Sequence, residues 1–136
     1  MKVSPATSVD PAFDLFPEEA QLLLRLAFVA IGRRRFVAAD RILTALEAFR
    51  PDAEPLLVAR VVTAMSQSAF AQSRVLLEAA AHRQGNLSPW LQVFYGIALE
   101  KTGEAAAARR CWQAVVAQGE TPLAVRFAQD LLVTEA

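Results

Sequence analysis

One stretch decides the fold of this chain: LLLRLAFVAI, residues 22–31. It carries a single charge, whereas a helix on the surface of a globular protein has a polar face opposite its apolar stripe. A helix that is apolar almost all round must be covered on two sides. The run is shorter than the roughly 20 residues that cross a bilayer, and Glu18 and Glu19 precede it closely, so protein is the expected cover. One side should meet the chain's own core, and the identity of the second cover becomes the functional question.

The composition also points to an apolar surface that is left over after folding. Of 136 residues, 54% are hydrophobic, and the mean hydropathy is +0.29. A surplus of apolar surface usually marks an interaction site or an oligomer interface. The length predicts a single domain over residues 17–136, preceded by a flexible tail at residues 1–16 that contains Pro5 and Pro11.

Charge and cysteine content narrow the classes of function. The formal net charge is zero, with 14 basic and 14 acidic residues, so no net field attracts nucleic acid or an anionic membrane. Nucleic acid and membrane insertion are therefore not expected. The single Cys111 excludes an internal disulfide framework, and the first residues lack the apolar core of a signal peptide. These features predict a cytoplasmic protein.

Apolar spacing of helical period recurs along the whole chain, and no stretch alternates as a strand would. Gly, Pro and Ser residues punctuate it; Ser88, for example, is a predicted N-cap before Pro89. The fold class predicted is all-α. The seven predicted helices are residues 17–31, 36–49, 54–66, 70–82, 89–101, 104–117 and 122–133.

The helices repeat at a fixed period. One set of apolar and small positions recurs at shifts of 34 and then 35 residues: Phe36, Ala39, Leu43; Phe70, Ser73, Leu77; Ala105, Ala108, Trp112. A small residue lets the two helices of a hairpin cross closely, and a large one a turn later packs against the next hairpin. The period is typical of a helix-turn-helix solenoid, and a closed helical bundle is the alternative.

On these residues the chain resembles a tetratricopeptide repeat (TPR) array. The third repeat matches best, with Tyr95-Gly96 in place of the motif's Leu-Gly pair, then Leu99, Gly103, Ala108 and Trp112. The second repeat departs most, with Arg60-Val61 at the Leu-Gly position and Ser73 for the small alanine. The resemblance implies a TPR-like α-hairpin solenoid of three helix pairs plus a C-terminal capping helix.

In size, apolar first helix, Phe-x-x-Ala hairpin and short final helix, the chain also resembles the TPR-type chaperones of type III secretion systems. Within that family it is most similar to the plant-pathogen and rhizobial relatives of the chaperones that hold the needle subunit. This second resemblance implies a secreted subunit as cargo, with a small co-chaperone as a further partner.

In a TPR array the first helix of each pair lines the concave face, so the resemblance also implies a ligand groove. Its predicted lining residues are all apolar: Leu24, Phe28, Ile31, Val58, Val62, Met65, Trp90, Val93 and Ile97. Capture of a peptide carboxylate would require basic and amide side chains at these places, so it is not expected. An apolar groove suits an amphipathic helix. The alternative interpretation is that these residues are core, or a surface for self-association.

No other motif points to chemistry. Arg33, Arg34 and Arg35 are interpreted as a solvated turn, His82 as a helix C-terminal residue that suits the dipole, and Cys111 as a small buried apolar residue. No metal-ligand spacing or phosphate loop is present in the sequence, so neither cofactor nor enzymatic activity is expected. The function predicted is a cytoplasmic chaperone or adaptor for an amphipathic helix; a homo-oligomeric scaffold, homodimer included, and an adaptor for a different peptide are the alternatives.

Overall fold

The computed structural model describes residues 17–134, and every regular element within them is an α-helix. The predicted tail, residues 1–16, lies outside the described residues. The helices are α1 (Glu18–Gly32), α2 (Phe36–Phe49), α3 (Glu54–Ser66), α4 (Phe70–Gln84), α5 (Pro89–Lys101), α6 (Ala105–Gln118) and α7 (Pro122–Thr134). The all-α prediction is confirmed, and the predicted ranges of α2, α3 and α5 match to the residue.

Local sequence signals explain where several helices begin and end. Ser88 is the N-cap residue of α5, and Pro89 is its first helical residue, where the missing proline N–H would have had no partner in any case. Gly85 follows α4 at φ 83° and Gly119 follows α6 at φ 65°. Positive φ is a conformation that glycine adopts without a Cβ clash, so each of these glycines allows its helix to stop.

The turns that follow α1, α3 and α5 share one backbone geometry. Each contains a residue of positive φ: Arg34 (60°), Ser68 (58°) and Gly103 (94°). In each, the next N–H donates a 2.8 Å bond to the carbonyl five residues earlier: Arg35 to Ala30, Ala69 to Ala64, and Glu104 to Leu99. The spacing of 34 and then 35 residues seen in the sequence is therefore also a repeat of the backbone.

The same repeat governs burial on the helices that follow these turns. The small positions are fully buried, at 0% exposed: Ala39, Ser73 and Ala108. The large positions one turn later are at most 1% exposed: Leu43, Leu77 and Trp112. Buried Ser73 donates from Oγ to the carbonyl of Ala69 over 3.2 Å, which satisfies its hydroxyl. A helical hairpin repeat is consistent with all of these positions.

The chain divides into two compact units: the first ends at Thr63 and the second begins at Ala64. The core of the first unit is built from α1, α2 and α3: Ala20, Leu24, Ala27, Ile31, Ala39, Leu43, Leu46, Leu56 and Ala59. The core of the second is built from α5, α6 and α7: Val93, Leu99, Ala108, Trp112, Val115, Ala124 and Ala128. The single domain expected over residues 17–136 stays a prediction.

Candidate functional site

Helix α1 has an apolar surface on the side away from its own core. Its buried stripe consists of Ala20, Leu24, Ala27 and Ile31, which pack into the core of the first unit. Five further large apolar side chains of the same helix are between 37% and 56% exposed: Leu22, Leu23, Leu26, Phe28 and Val29. The first cover that the sequence called for is the chain's own core, and this exposed surface is where a second cover would lie.

A hollow of about 270 Å³ opens beside this surface. Ala20 and Leu46 are the buried residues that line it, while Leu23 of α1 and Phe49 of α2 are exposed. Its full lining is Pro17, Glu19, Ala20, Leu23, Ala45, Leu46 and Phe49, with Glu19 as the one charged member. The volume is below the range of about 300 to 1,000 Å³ usual for drug-sized ligands. It suits one large apolar side chain of a protein partner.

The predicted groove residues of the first unit occupy different environments. Leu24 and Ile31 lie in the core, at 1% and 4% exposed. Phe28 is exposed, and Val58 and Val62 are half-buried, with Val62 packed against the core.

In the second unit, Val93 is fully buried, and Met65, Trp90 and Ile97 are half-buried. Trp90 belongs to an aromatic cluster: its ring centroid lies 6.3 Å from Phe94 and 6.1 Å from Phe127 of α7. Both rings are tilted to it, an arrangement that aromatic quadrupoles favour. Trp90 is thus held by neighbours within its own unit.

This distribution removes three residues from the candidate site. Leu24, Ile31 and Val93 are core side chains, and a side chain buried in its own core presents no surface to a ligand. Phe28, Val62 and Ile97 occupy the same position in α1, α3 and α5, and each keeps part of its surface accessible. In the first unit, the predicted groove residues that keep accessible surface are Phe28, Val58 and Val62; in the second unit they are Met65, Trp90 and Ile97.

Sequence reasoning missed a polar network in the first unit, centred on Arg60 of α3. Its guanidinium donates two hydrogen bonds to Glu47, from Nε to Oε2 at 2.8 Å and from Nη2 to Oε1 at 2.9 Å. It also donates to Asp40 at 2.6 Å and to Thr44 at 3.1 Å. The hydrogen bond to Glu47 is the largest cause that raises the pKa of Arg60. The available signal was the spacing of Asp40, Thr44 and Glu47, which places them on one face of α2.

The second unit has its own network, centred on Arg74 of α4. Its Nε donates to Oε2 of Glu78 at 2.7 Å, and its Nη2 lies 2.9 Å from Oε2 of Glu104, which precedes α6. Tyr95 of α5 donates its hydroxyl to the same Oε2 of Glu78 at 2.9 Å. The bond from Arg74, followed by that from Tyr95, lowers the pKa of Glu78 against the opposing effect of burial. Both networks hold helices together. Each carboxylate named in them is bonded to a basic side chain, so neither network resembles a free acid–base site.

Arg34 and Cys111 also lie in surroundings that indicate a structural role. The Arg34 guanidinium lies 5.1 Å from the ring centroid of Phe36, a cation–π contact. Burial raises the pKa of the half-buried Cys111 thiol, which disfavours the reactive thiolate. Within residues 17–134, no three His, Cys, Asp or Glu side chains are grouped as a metal site would require.

Comparisons with family models, curated proteins and solved structures found no match to this chain. None of the helices in the described part of the chain combines the length and the hydrophobicity needed to cross a membrane. The candidate site therefore rests on the geometry of the chain itself: the exposed apolar surface of α1 and the hollow beside it.

Proposed function

We propose that this protein is a non-enzymatic adaptor or chaperone with a TPR-like hairpin fold that binds an amphipathic helix of another protein. The observation that carries the proposal is the hollow lined by Leu23, Ala45 and Phe49, next to the exposed apolar residues of α1. Amphipathic helices bind grooves through apolar anchors spaced one turn apart. The hollow would take one such anchor, and the neighbouring apolar side chains would contact the next.

Several features support a binding role over the alternatives. Both networks of charged side chains are engaged in holding helices together, which leaves the exposed apolar surface as the distinctive feature of the first unit. A neutral chain binds through shape and apolar contact rather than through long-range attraction. Removing the hollow's exposed apolar surface from water would give a favourable free energy on partner binding.

The resemblance of the sequence to TPR-type chaperones of type III secretion supplies the first partner to try. That partner is the C-terminal amphipathic helix of a secreted, needle-type subunit, which such a chaperone would keep from polymerising in the cytoplasm before export. A small co-chaperone is a further partner of the same proposal.

The experiment is to fill the hollow and measure binding of the candidate helix by fluorescence anisotropy. Ala45→Phe places a ring in the hollow from a residue that is already exposed, so the fold should tolerate it. We expect the dissociation constant to rise by about tenfold or more, corresponding to the loss of one apolar anchor. Ala48→Phe is the matched control, because Ala48 is exposed on the same helix and is not part of the hollow's lining.

A second pair of variants separates the hollow from the predicted groove. Phe28→Glu and Val62→Glu place charges at two accessible residues of the predicted groove, both in the first unit. Loss of binding in these two variants alone, with Ala45→Phe unaffected, would move the site to the groove. Retained binding in all three variants, with a helical circular dichroism spectrum, would remove the proposal.

A further inference from the structure

The hollow beside α1 lies where the N-terminal part of the chain joins the described residues. Pro17 is one of its lining residues and is also the N-cap residue of α1, with an extended backbone at φ −59° and ψ 160°. Its carbonyl accepts the N–H of Gln21 at 3.0 Å, which fixes Pro17 to the first turn of the helix. Residues 1–16 therefore join the described part of the chain beside the hollow.

The large apolar side chains of this N-terminal segment are concentrated at its end. Residues 13–16 read Phe-Asp-Leu-Phe, whereas residues 1–12 contain no aromatic side chain. Because an extended chain spans at most about 3.6 Å per residue, the Cα atoms of Leu15 and Phe13 can be no further than about 7 Å and 14 Å from that of Pro17. Both residues are thus within reach of the hollow, and the covalent chain itself brings them there.

We propose that residues 13–16 of the same chain dock in the hollow, with Phe13 and Leu15 facing it. The residue before a proline is restricted to extended conformations, and alternate side chains of an extended segment share one side. Asp14 then points to the opposite side, away from Glu19, the one charged residue of the lining. The volume of about 270 Å³ takes one of the two apolar side chains, and the other lies across the opening.

Docking would remove apolar surface from water on both the segment and the hollow. Leu23 and Phe49 of the lining are 39% and 54% exposed, and covering them is favourable. A segment tethered beside its site has an effective concentration in the millimolar range, which a separate molecule in dilute solution does not reach. Because a contact through one apolar anchor is weak, we expect docked and undocked forms to be present together.

A double-mutant cycle in the full chain tests the docking without any partner. Phe13→Ser combined with Leu15→Ser removes the apolar side chains of the segment, and we expect it to lower the denaturant midpoint of unfolding followed by circular dichroism. In the Ala45→Phe background the same serine pair should change nothing, because the new ring already fills the hollow. In the Ala48→Phe background the full decrease should return, since Ala48 is exposed and does not line the hollow.

Docking has a consequence for partner binding, which rests on the proposed function. A partner helix must displace residues 13–16 before its own anchor enters the hollow, so the segment acts as an internal competitor. With the serine pair every hollow is free, and the dissociation constant of the candidate helix, measured by fluorescence anisotropy, should fall about threefold to fivefold. Val3→Ser combined with Val9→Ser is the matched control: both positions lie outside residues 13–16, so neither the midpoint nor the dissociation constant should change.

The outcomes separate this proposal from the proposed function. Absence of coupling between the serine pair and Ala45→Phe overturns the docking. Coupling that appears only at concentrations where sedimentation velocity shows a dimer places the segment in the hollow of a second copy, which overturns docking within one chain. Coupling without partner binding in any variant supports the docking and counts against the proposed function alone. Coupling with partner binding that the serine pair does not tighten overturns the competition.

Discussion

The two units solve the same packing problem with different residues. In the first unit, Ala27 of α1 and Leu43 of α2 are both fully buried in one core. At the equivalent positions of the second unit stand Gly96 of α5 and Trp112 of α6, and the Trp112 ring lies where a Cβ on Gly96 would be. A larger side chain on one helix is thus accommodated by a smaller one on the other. What repeats along the chain is the filled volume rather than the residue type, as close packing of protein interiors requires.

Replacing Gly96 by alanine is the strongest test of this difference in packing between the two units. The new Cβ would overlap Nε1 of Trp112 and lie 2.8 Å from Cδ1 of the same ring. The ring is held by its Nε1–H, which donates to the carbonyl of Val93 at 3.2 Å, so it cannot retreat without losing that bond. We expect the second unit to lose about 2 to 3 kcal/mol of unfolding free energy, even after the better helix propensity of alanine.

Tryptophan fluorescence during denaturant unfolding measures this effect, because both tryptophans, Trp90 and Trp112, belong to the second unit. Gly32→Ala is the matched control, followed by circular dichroism because Gly32 belongs to the first unit, which contains no tryptophan. No atom lies within 4 Å of the Cβ that it would add, so its stability should change by less than about 1 kcal/mol. Equal stability of the Gly96 and Gly32 variants would show that the ring is not held where the structure places it.

The polar networks show a second difference between the units. Arg60 of α3 and Tyr95 of α5 occupy equivalent positions, and each reaches the helix before its own. Arg60 supplies the positive charge itself and bonds to two carboxylates. Tyr95 supplies only a hydroxyl, because Arg74 already neutralises Glu78. The first unit therefore depends on one residue at this position, whereas the second shares the task between two.

Removing Arg60 should accordingly cost more than removing the Tyr95 hydroxyl. Arg60→Ala leaves Glu47 and Asp40 without their shared cation, and we expect a loss of about 1 to 2 kcal/mol. Arg60→Lys should recover only part of it, since an ammonium group cannot make the two parallel bonds to Glu47. Tyr95→Phe removes one bond from a carboxylate that keeps another partner, so its cost should stay below about 1 kcal/mol.

These variants are compared by chemical unfolding. The Arg60 variants are followed by circular dichroism, because the first unit contains neither tryptophan nor tyrosine, and Tyr95→Phe by tryptophan fluorescence. If Tyr95→Phe lost as much unfolding free energy as Arg60→Ala, the claim that Arg74 alone is sufficient to neutralise Glu78 would be wrong.

The helices could be predicted from the sequence because their signals are local. Pro89, Gly85 and Gly119 act on the backbone at their own positions, and apolar period fixes the extent between them. Position-by-position comparison with a repeat motif was less reliable. Arg60 departs from the motif's leucine, yet it joins α3 to α2 through Asp40, Thr44 and Glu47. Its partners lie 13 to 20 residues away in sequence. Their spacing places them on one face of α2, but that spacing does not identify Arg60 as the residue that they meet.

The candidate site was harder to predict. Helical periodicity shows on which side of its helix a residue lies, but it does not show what packs against that side. Leu24, Ile31 and Val93 have the right composition for an apolar groove and are buried in the cores. Leu22 and Val29 look like core residues and are exposed, because the described part of the chain puts no helix in front of them. The all-round apolarity of residues 22–31 predicts that α1 needs two covers. Only the structure shows which of its side chains the chain's own core leaves exposed.

The sharpest probe of the Tyr95 network is its own ionisation. Burial, followed by the hydrogen bond to Glu78, raises the pKa of Tyr95 to about 12, compared with about 10 for an unperturbed phenol. The folded state therefore holds this proton more tightly than the unfolded state. The resulting contribution to stability is complete below about pH 10 and is lost as pH rises through the folded value.

Since Tyr95 is the single tyrosine of the chain, the ultraviolet absorbance of tyrosinate reports on it alone. The midpoint should lie near 12 in the folded protein and near 10 in denaturant, with circular dichroism at each pH showing which state is present. Glu78→Gln keeps an acceptor for the hydroxyl but removes its charge, so the folded midpoint should fall. It should remain above the denatured value, because burial is the larger cause. A folded wild-type midpoint near 10 would mean that the phenol is neither buried nor bonded to Glu78, and the helix contact assigned to Tyr95 would have to be abandoned.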